Sequence, residues 1–269
     1  TGQKISEVYR IYTREGSFCE TNPRKKGAII RDAMNFTLLS TDGAARRGRL
    51  TFARGTIETP AFMPCATRGT VMALTPHDVE ALGFEMILSN AYHLHLRPGE
   101  EYIRSRGGLH RFSRWGRPIL TDSGGFQIFS LKEKYRVDEE GVTFASHING
   151  DKKRLTPQSV LEIQQSLGSD IWMPLDHCPS APTKSGAGDA EAKLVEEAAE
   201  RTLRWAQQAR EIYEKMSTPR GALFGIVQGG TDGRLRERNA ARLVALDFAG
   251  YAVGGLSVGE SKDGLLSTT

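Results

Sequence analysis

Two stretches of the sequence repeat the same order of helix and strand signals, and this repeat limits the possible folds most. Leu-Thr-Pro at residues 74–76 and again at 155–157 predicts a helix with an N-cap threonine and proline at its first position. Gly83 and Gly168 end the two helices, and an apolar strand follows each. Short apolar strands that alternate with amphipathic helices indicate a parallel sheet buried on both faces.

The same alternation continues along the chain. Parallel strands are predicted over residues 61–65, 86–88, 118–120, 171–175, 223–227 and 251–253. Helices are predicted over residues 190–216 and 234–246, and a β-hairpin over residues 141–150. Polar residues or glycines follow five of the strands, namely Asn90, Asp122, Asp176, Gln228 and Gly255.

This spread of polar strand ends distinguishes two α/β architectures. A (β/α)₈ barrel builds its site from the ends of many strands, whereas a doubly wound sheet concentrates ligands at one switch point. The barrel is therefore the favoured fold. Since a barrel needs eight strands and six are predicted here, either two strands escape detection near the N-terminus or the barrel is incomplete.

Length alone leaves open one large domain or two small ones, and composition indicates a folded chain. The 269 residues are 39% hydrophobic and 25% charged, which is ordinary globular usage and argues against a disordered chain. We expect a basic, poorly ordered leader over residues 1–34 and the barrel domain over residues 35–269. No apolar run approaches the ~20 residues that span a membrane, and three scattered cysteines favour a reducing cytoplasm.

The segment after the strand at 118–120 is the most specific candidate site. Gly124 and Gly125 would let a ligand approach the backbone closely, and Ser123 lies beside them. Asp122 would lie at the carboxyl end of the sheet, and Phe126 could stack on a flat ring. A simple turn with an aspartate helix cap is the alternative interpretation.

Residues 176–178, Asp-His-Cys, form a second candidate site. A cysteine beside a histidine could be a nucleophile or half of a metal site, but no other such pair stands at ligand spacing. Asp176 is better suited to accept hydrogen bonds from the edge of a base, unless it is an ordinary N-cap. Two glycine-rich segments, residues 225–230 and 254–260, lie where predicted strands end and are called the strand exits. They favour a planar ligand.

His93 and His95 open a different possibility, because His-x-His at a strand end occurs in metal-dependent barrel hydrolases. That chemistry needs further ligands at later strand ends. Gln228 and Gly255 stand there instead, so packing or substrate positioning is preferred to metal binding.

Four ordered motifs carry a resemblance to a known family. They are Ser-Asn-Ala-Tyr-His-Leu at 89–94, Thr-Asp-Ser-Gly-Gly-Phe-Gln at 121–127, Gly-Ile-Val-Gln-Gly-Gly at 225–230 and Gly-Gly-Leu-Ser-Val-Gly-Glu at 254–260. Together they resemble the bacterial-type tRNA-guanine transglycosylases, also called queuine tRNA-ribosyltransferases. The resemblance runs from about Phe36 to Asp263. It implies a TIM barrel, truncated here after about strand six, and a cytoplasmic transferase of queuosine biosynthesis.

The resemblance also implies a reaction and its partners. The family exchanges the wobble guanine in the tRNA anticodon loop for a 7-deazaguanine by retaining glycosyl transfer. A homodimer is expected for the full-length form. Cys178 and Val258 match the bacterial type, which implies a preference for the small precursor preQ1 over queuine. Eukaryotic-type members have glycine at the Val258 position.

Residue roles follow from the same resemblance. Asp122 matches the proton acceptor, Phe126 the stacking aromatic, and Asn90 a residue near the ribose. Asp176 should accept hydrogen bonds from the Watson–Crick edge of the base, while Gln228 should face the base carbonyl. The other substrate-binding matches are Ser123, Gly124, Gly125, Cys178, Gly254, Gly255 and Leu256.

The resemblance places some of the family's machinery beyond Thr269. The nucleophilic aspartate and the Cys-x-Cys-x-x-Cys…His zinc site are expected there, so zinc is expected for the full-length family but without ligands in these residues. Since retaining exchange needs two carboxylates and Asp122 supplies one, the chain alone is expected to be inactive. The alternatives are a non-catalytic base- or tRNA-binding partner subunit and, less favoured, the metal-dependent hydrolase.

Overall fold

The computed structural model describes residues 11–12, 33–130, 135–179 and 189–268. The strands in these residues are β1 Ile11–Tyr12, β2 Asn35–Asp42, β3 Ala45–Phe52, β4 Gly55–Thr59, β5 Ile87–Asn90, β6 Ile119–Asp122, β7 Tyr135–Asp138, β8 Gly141–Ala145, β9 Lys152–Leu155, β10 Ile171–Trp172, β11 Ala222–Val227 and β12 Gly250–Val253. The helices are α1 Pro76–Ala81, α2 Ala91–Leu96, α3 Glu100–Ser105, α4 Leu109–Ser113, α5 Gly125–Ser130, α6 Pro157–Leu167, α7 Asp189–Lys215, α8 Gly233–Val244 and α9 Lys262–Thr268.

A parallel sheet organises the molecule. Its strands lie in the order β12-β11-β10-β6-β5, with β1 antiparallel on the outer side of β12. The α/β class and the parallel sheet that the sequence predicts are confirmed. Closure of this sheet into an eight-stranded barrel, and its truncation after strand six, stay predictions.

The prediction of a strand at 61–65 is wrong in extent. The structure has one parallel bridge there, between Cys65 and Leu88 of β5. The main-chain N–H of Leu88 donates to Pro64 at 3.1 Å, and that of Ala66 donates to Leu88 at 2.7 Å. This segment therefore runs beside β5 without a regular ladder.

One face of the parallel sheet packs on a smaller antiparallel sheet, β2-β3-β4, which the sequence interpretation missed. Leu50, Phe52 and Ile57 of the small sheet share a buried cluster with Leu88 and Phe224 of the large one. Inward-facing positions are thus apolar until the last residues of the strands. There the polar side chains begin.

The repeated helix signals are confirmed at both places. Thr75 and Thr156 each accept a hydrogen bond from the main chain three residues on, and the residue at that position bonds back to form a capping box. Gly168 ends α6 in a left-handed conformation, with φ of 72°. These caps fix where α1 and α6 begin, and so the approach to β5 and β10.

Strand β10 is shorter than the predicted strand at 171–175, and beyond its end the Met173 N–H is shared between the Thr121 carbonyl of β6, at 3.3 Å, and a side chain of α6. Gln164 of α6 accepts from the Met173 N–H at 3.0 Å and donates to the Met173 carbonyl at 2.9 Å. Its oxygen also accepts from Thr121 Oγ1 of β6 at 2.8 Å. The chain can therefore leave the ladder after Trp172 and turn toward Asp176 with its backbone still bonded.

The predicted hairpin is confirmed and extended. Strands β7, β8 and β9 form an antiparallel sheet between α5 and α6, and Gly150 in its turn has φ of 77°. Most of the predicted leader, residues 1–34, lies outside the described residues. In the part of the chain that the structure describes, no helix has the length and apolar character to cross a membrane.

Replacing Gln164 tests its bridging role. Gln164→Leu keeps the side-chain volume but leaves the buried Met173 carbonyl without its amide donor, which should cost about 1–3 kcal/mol of unfolding free energy. Urea unfolding measures this loss. The matched control is Gln158→Leu on the same helix, where the exposed amide bonds only to Glu162 in the described contacts, and it should cost less than about 0.5 kcal/mol. Equal effects of the two changes would contradict the account.

Candidate functional site

Polar residues meet where the parallel strands end. Asn90 and Asp122 are the last residues of β5 and β6, Gln228 follows β11, and Asp176 lies four residues after β10. All four side chains are buried, Asp122 with 1% exposure and Asp176 with 5%. Because carboxyl ends of parallel strands share one edge of the sheet, these residues form one polar layer above the apolar core.

Asn90 and Asp122 are neighbours across the β5–β6 ladder. Asn90 Nδ2 donates to Asp122 Oδ2 at 2.9 Å. The amide oxygen of Asn90 accepts from the His93 N–H at 3.2 Å and so caps α2. Since the cap determines which way the amide faces, its nitrogen is aimed at Asp122 and holds that carboxylate at the strand end.

The carboxylate of Asp176 receives one donor on each oxygen. Ser123 Oγ donates to Oδ1 at 3.2 Å, and Gln228 Nε2 donates to Oδ2 at 2.7 Å. Each carboxylate oxygen has a second lone pair, and Gln228 has a second amide proton. The pair can therefore bind a further group that offers two donors and one acceptor.

Burial, and after it the negative charge of nearby Asp122, raises the pKa of Asp176 to about 7. Hydrogen bonds from Gln228 and Ser123 stabilise the carboxylate and partly offset this rise. Near neutral pH the group is therefore poised between its acid and its carboxylate form.

Glycines let these groups approach each other. A Cβ atom at Gly125 would overlap the Asp176 carboxylate, and one at Gly255 would overlap Gln228 Oε1. Gly124, with φ of 94°, lies against Tyr92. The interpretation from the sequence assigned such glycines to ligand approach, and the structure shows that close contacts within the protein already require them.

Helix α8 supports the site with two residues that the sequence interpretation missed. Asn239 Oδ1 accepts from the Gln228 N–H at 3.1 Å, and Arg236 donates to the Gly230 and Gly254 carbonyls at 2.6 and 2.7 Å. Both side chains are buried, together with Leu243 of the same helix. Their spacing of three and four residues on a highly charged helix is the signal that could have revealed them.

The remaining candidates lie around this layer. Cys178 and Leu256 are buried, and Phe126 is half-buried in the first turn of α5. His177 packs its ring on Phe129, with centroids 4.4 Å apart. Burial, and after it the charge of Arg201, lowers the pKa of His177 to about 4, so this ring is neutral near pH 7.

His93 and His95 do not point to a common site. His95 Nδ1 lies 2.7 Å from Glu100 Oε2, whereas the His93 ring packs edge-on against His147. Across the described ranges, no three His, Cys, Asp or Glu side chains are grouped so that they could hold a metal ion. The described residues therefore do not offer the donor set of the zinc site that the resemblance implies.

A comparison with known families identifies the family of the chain. Residues 41–269 match the family model described as Queuine tRNA-ribosyltransferase. The chain belongs to this family. The match includes every strand end that contributes to the polar layer, so the family resemblance of the sequence motifs is confirmed.

Curated relatives give the same family. The chain is 51% identical over 237 residues to the Queuine tRNA-ribosyltransferase of Leptothrix cholodnii, covering 87% of this chain and 60% of that protein. It is 52% identical over 229 residues to the protein of that name from Shewanella sediminis, covering 85% and 59%. It is 50% identical over 230 residues to the protein of that name from Thiobacillus denitrificans, and the match covers 86% of this chain and 60% of that protein. The chain thus spans about 60% of the length of these relatives.

The raised pKa of Asp176 predicts a pH-dependent effect of Asp176→Asn. The native group holds its proton up to about pH 7, whereas the unfolded group loses it near its ordinary pKa of 3.8, so stability falls as pH rises between these values. The amide lacks this penalty and should stabilise the chain by about 1–4 kcal/mol at pH 8.

Urea unfolding at pH 8 and pH 4 measures this difference, which should shrink toward zero at pH 4. Asp263→Asn, an exposed acid on α9, is the control and should give the same small effect at both pH values. A difference for Asp176→Asn that does not depend on pH would show that burial of its charge is not the cause.

Proposed function

We propose that the polar layer binds a guanine-type base and that the chain serves tRNA-guanine exchange in queuosine biosynthesis, as a pentosyltransferase. The observation that supports this most is the Asp176–Gln228 pair, joined at 2.7 Å and buried. Guanine presents two neighbouring donors, its ring N–H and exocyclic amine, beside one carbonyl acceptor. A carboxylate beside an amide donor is the complement of that edge.

The same pair accounts for selection against other bases. Adenine offers an acceptor at the ring nitrogen where guanine has a donor, so its lone pair would face the Asp176 carboxylate. A buried site built to satisfy each donor and acceptor rejects a ligand that leaves one unpaired, often by several orders of magnitude. In this proposal Phe126 stacks on the base, and the Gly255 and Leu256 N–H groups face its carbonyl.

Asp122 is proposed as the proton acceptor, with Asn90 beside the ribose of the bound tRNA. Its hydrogen bond to Asn90 keeps Asp122 at the strand end, where it would also take part in recognition of the base. Retaining exchange needs a second carboxylate that attacks the anomeric carbon. We propose that this group comes from outside these 269 residues, and incorporation of guanine into tRNA by these residues alone would contradict it.

The substrates of the whole enzyme belong to the same proposal. The names of the relatives specify queuine and tRNA. A cytoplasmic location and a homodimer of the full-length form stay predictions. A partner subunit that binds the base without exchanging it is the second candidate, because the groups that meet in the described site, Asp176 and Gln228, are suited to recognition of a base.

The base-binding proposal predicts a large effect of Asp176→Ala on guanine affinity. Losing a charged acceptor should cost roughly 1.5–3 kcal/mol, or about tenfold to a hundredfold in Kd. Titration calorimetry with free guanine measures it. Asp176→Asn is the matched variant, since it keeps the volume but presents at most one acceptor oxygen, and it should lose affinity as well. Unchanged guanine affinity in both variants would rule out Asp176 as the recognition group.

The valine at position 258 predicts a preference between two 7-deazaguanines. Val258 lies in the exit of β12, where the Val258 N–H donates to Glu260 Oε2 at 3.0 Å. Its side chain should exclude the cyclopentenediol of queuine at a cost of about 1–3 kcal/mol, so preQ1 should bind tenfold to a hundredfold more tightly. Val258→Gly should remove most of this preference, and Val258→Ala part of it.

Competition binding of preQ1 and queuine measures the preference in the three proteins. Equal affinity for both bases in the unsubstituted chain would contradict the assignment of Val258 to base selection.

A further inference from the structure

Arg236 is a buried cation held by carbonyl groups of two neighbouring strand exits. Its side chain extends from α8 and the residue is 6% exposed. Nε donates to the Gly230 carbonyl at 2.6 Å, and another guanidinium nitrogen donates to the Gly254 carbonyl at 2.7 Å. The third contact, to Val227, is longer at 3.5 Å. One side chain therefore ties the exits of β11 and β12 together.

The charge of Arg236 has no carboxylate partner within ion-pair distance among the described residues. Burial lowers its pKa to about 10, with Cys178 and Glu260 acting in the opposite direction, so the group is still a cation at neutral pH. Burying a cation that only carbonyls satisfy is costly, and a hydrophobic residue would fill the space at lower cost. The contacts thus indicate a positional role.

The peptide bond between Gly254 and Gly255 is a group whose orientation the contact with Arg236 determines. It is trans, so its C=O and N–H point in opposite directions. Because the Gly254 carbonyl faces Arg236, the Gly255 N–H faces away from Arg236. Gly255 has φ of 68° and lies against the Gln228 side chain, at the polar layer.

We propose that Arg236 is a positioning residue that orients the Gly254–Gly255 peptide, so that the Gly255 N–H donates to the carbonyl oxygen of the bound base. The inference rests on the proposed function, since it assigns a partner to that carbonyl. The guanidinium is needed because its planar fork reaches carbonyls on both exits at once, whereas an ammonium is a point donor.

Three purines separate this role from a general structural one. Guanine and 6-thioguanine share the donors that face Asp176 but differ at the carbonyl, where sulfur is a weak acceptor. Guanine and hypoxanthine share the carbonyl, but hypoxanthine lacks the exocyclic amine. The first ratio of affinities therefore reports on the contacts to the base carbonyl, which come from Gln228 and the Gly255 N–H, and the second on the Asp176 contact.

Calorimetry with these purines on the 269-residue chain tests the proposal. In Arg236→Lys and Arg236→Met the preference for guanine over 6-thioguanine should fall about five- to tenfold, while the preference over hypoxanthine is retained. Arg238→Met, an exposed arginine on the same helix that pairs with Glu196, is the control and should change neither ratio. Thermal unfolding verifies that each variant is folded, and Arg236→Lys supplies the test if Arg236→Met is not.

The outcomes separate the two proposals. Folded Arg236 variants with an unchanged guanine to 6-thioguanine ratio would overturn the positioning role and leave the base site intact. An equal fall in both ratios would also overturn it, since it would mark a general disturbance of the site. An unsubstituted chain that binds guanine no better than hypoxanthine would overturn the proposed base site, and this inference with it.

Discussion

The hydrogen bond from Gln228 to Asp176 joins the exits of two neighbouring strands around a buried carboxylate, and much of the site depends on it. Gly125 and Gly255 must lack side chains because they lie against this pair. Asn239 holds the backbone of Gln228, and Gln164 directs the chain that carries Asp176. The cost of burying the carboxylate appears as its raised pKa, and a ligand with two donors would relieve that cost.

The parallel sheet and its polar edge could be predicted from the sequence because their signals are local. These signals depend on neighbouring residues alone: Thr-Pro where the two repeated helices begin, glycine where they end, and an apolar run for each strand. Asp122, Asp176 and Gln228 stand directly after such runs. Their convergence follows from the geometry of parallel strands and does not depend on knowing the crossing helices.

Long-range pairing explains what the sequence could not reveal. The β2-β3-β4 sheet was not predicted, and its buried face, with Leu50, Phe52 and Ile57, becomes apparent only against the core of the large sheet. Just after β10, the side chain of Gln164 bonds to both main-chain groups of Met173, and no strand signal encodes this contact. The spacing of Arg236 and Asn239 on α8 could reveal that they are buried, but not what they bind, since their main-chain partners belong to the ends of other strands.

A crystal structure of the chain with guanine bound would test directly whether the Asp176–Gln228 pair binds the edge of the base. We expect the base to lie in the polar layer, with its ring N–H and exocyclic amine donating hydrogen bonds to the Asp176 carboxylate. Its carbonyl oxygen should lie within about 3 Å of Gln228 Nε2 and the Gly255 nitrogen. Guanine bound elsewhere, or with its carbonyl turned toward Asp176, would contradict the account.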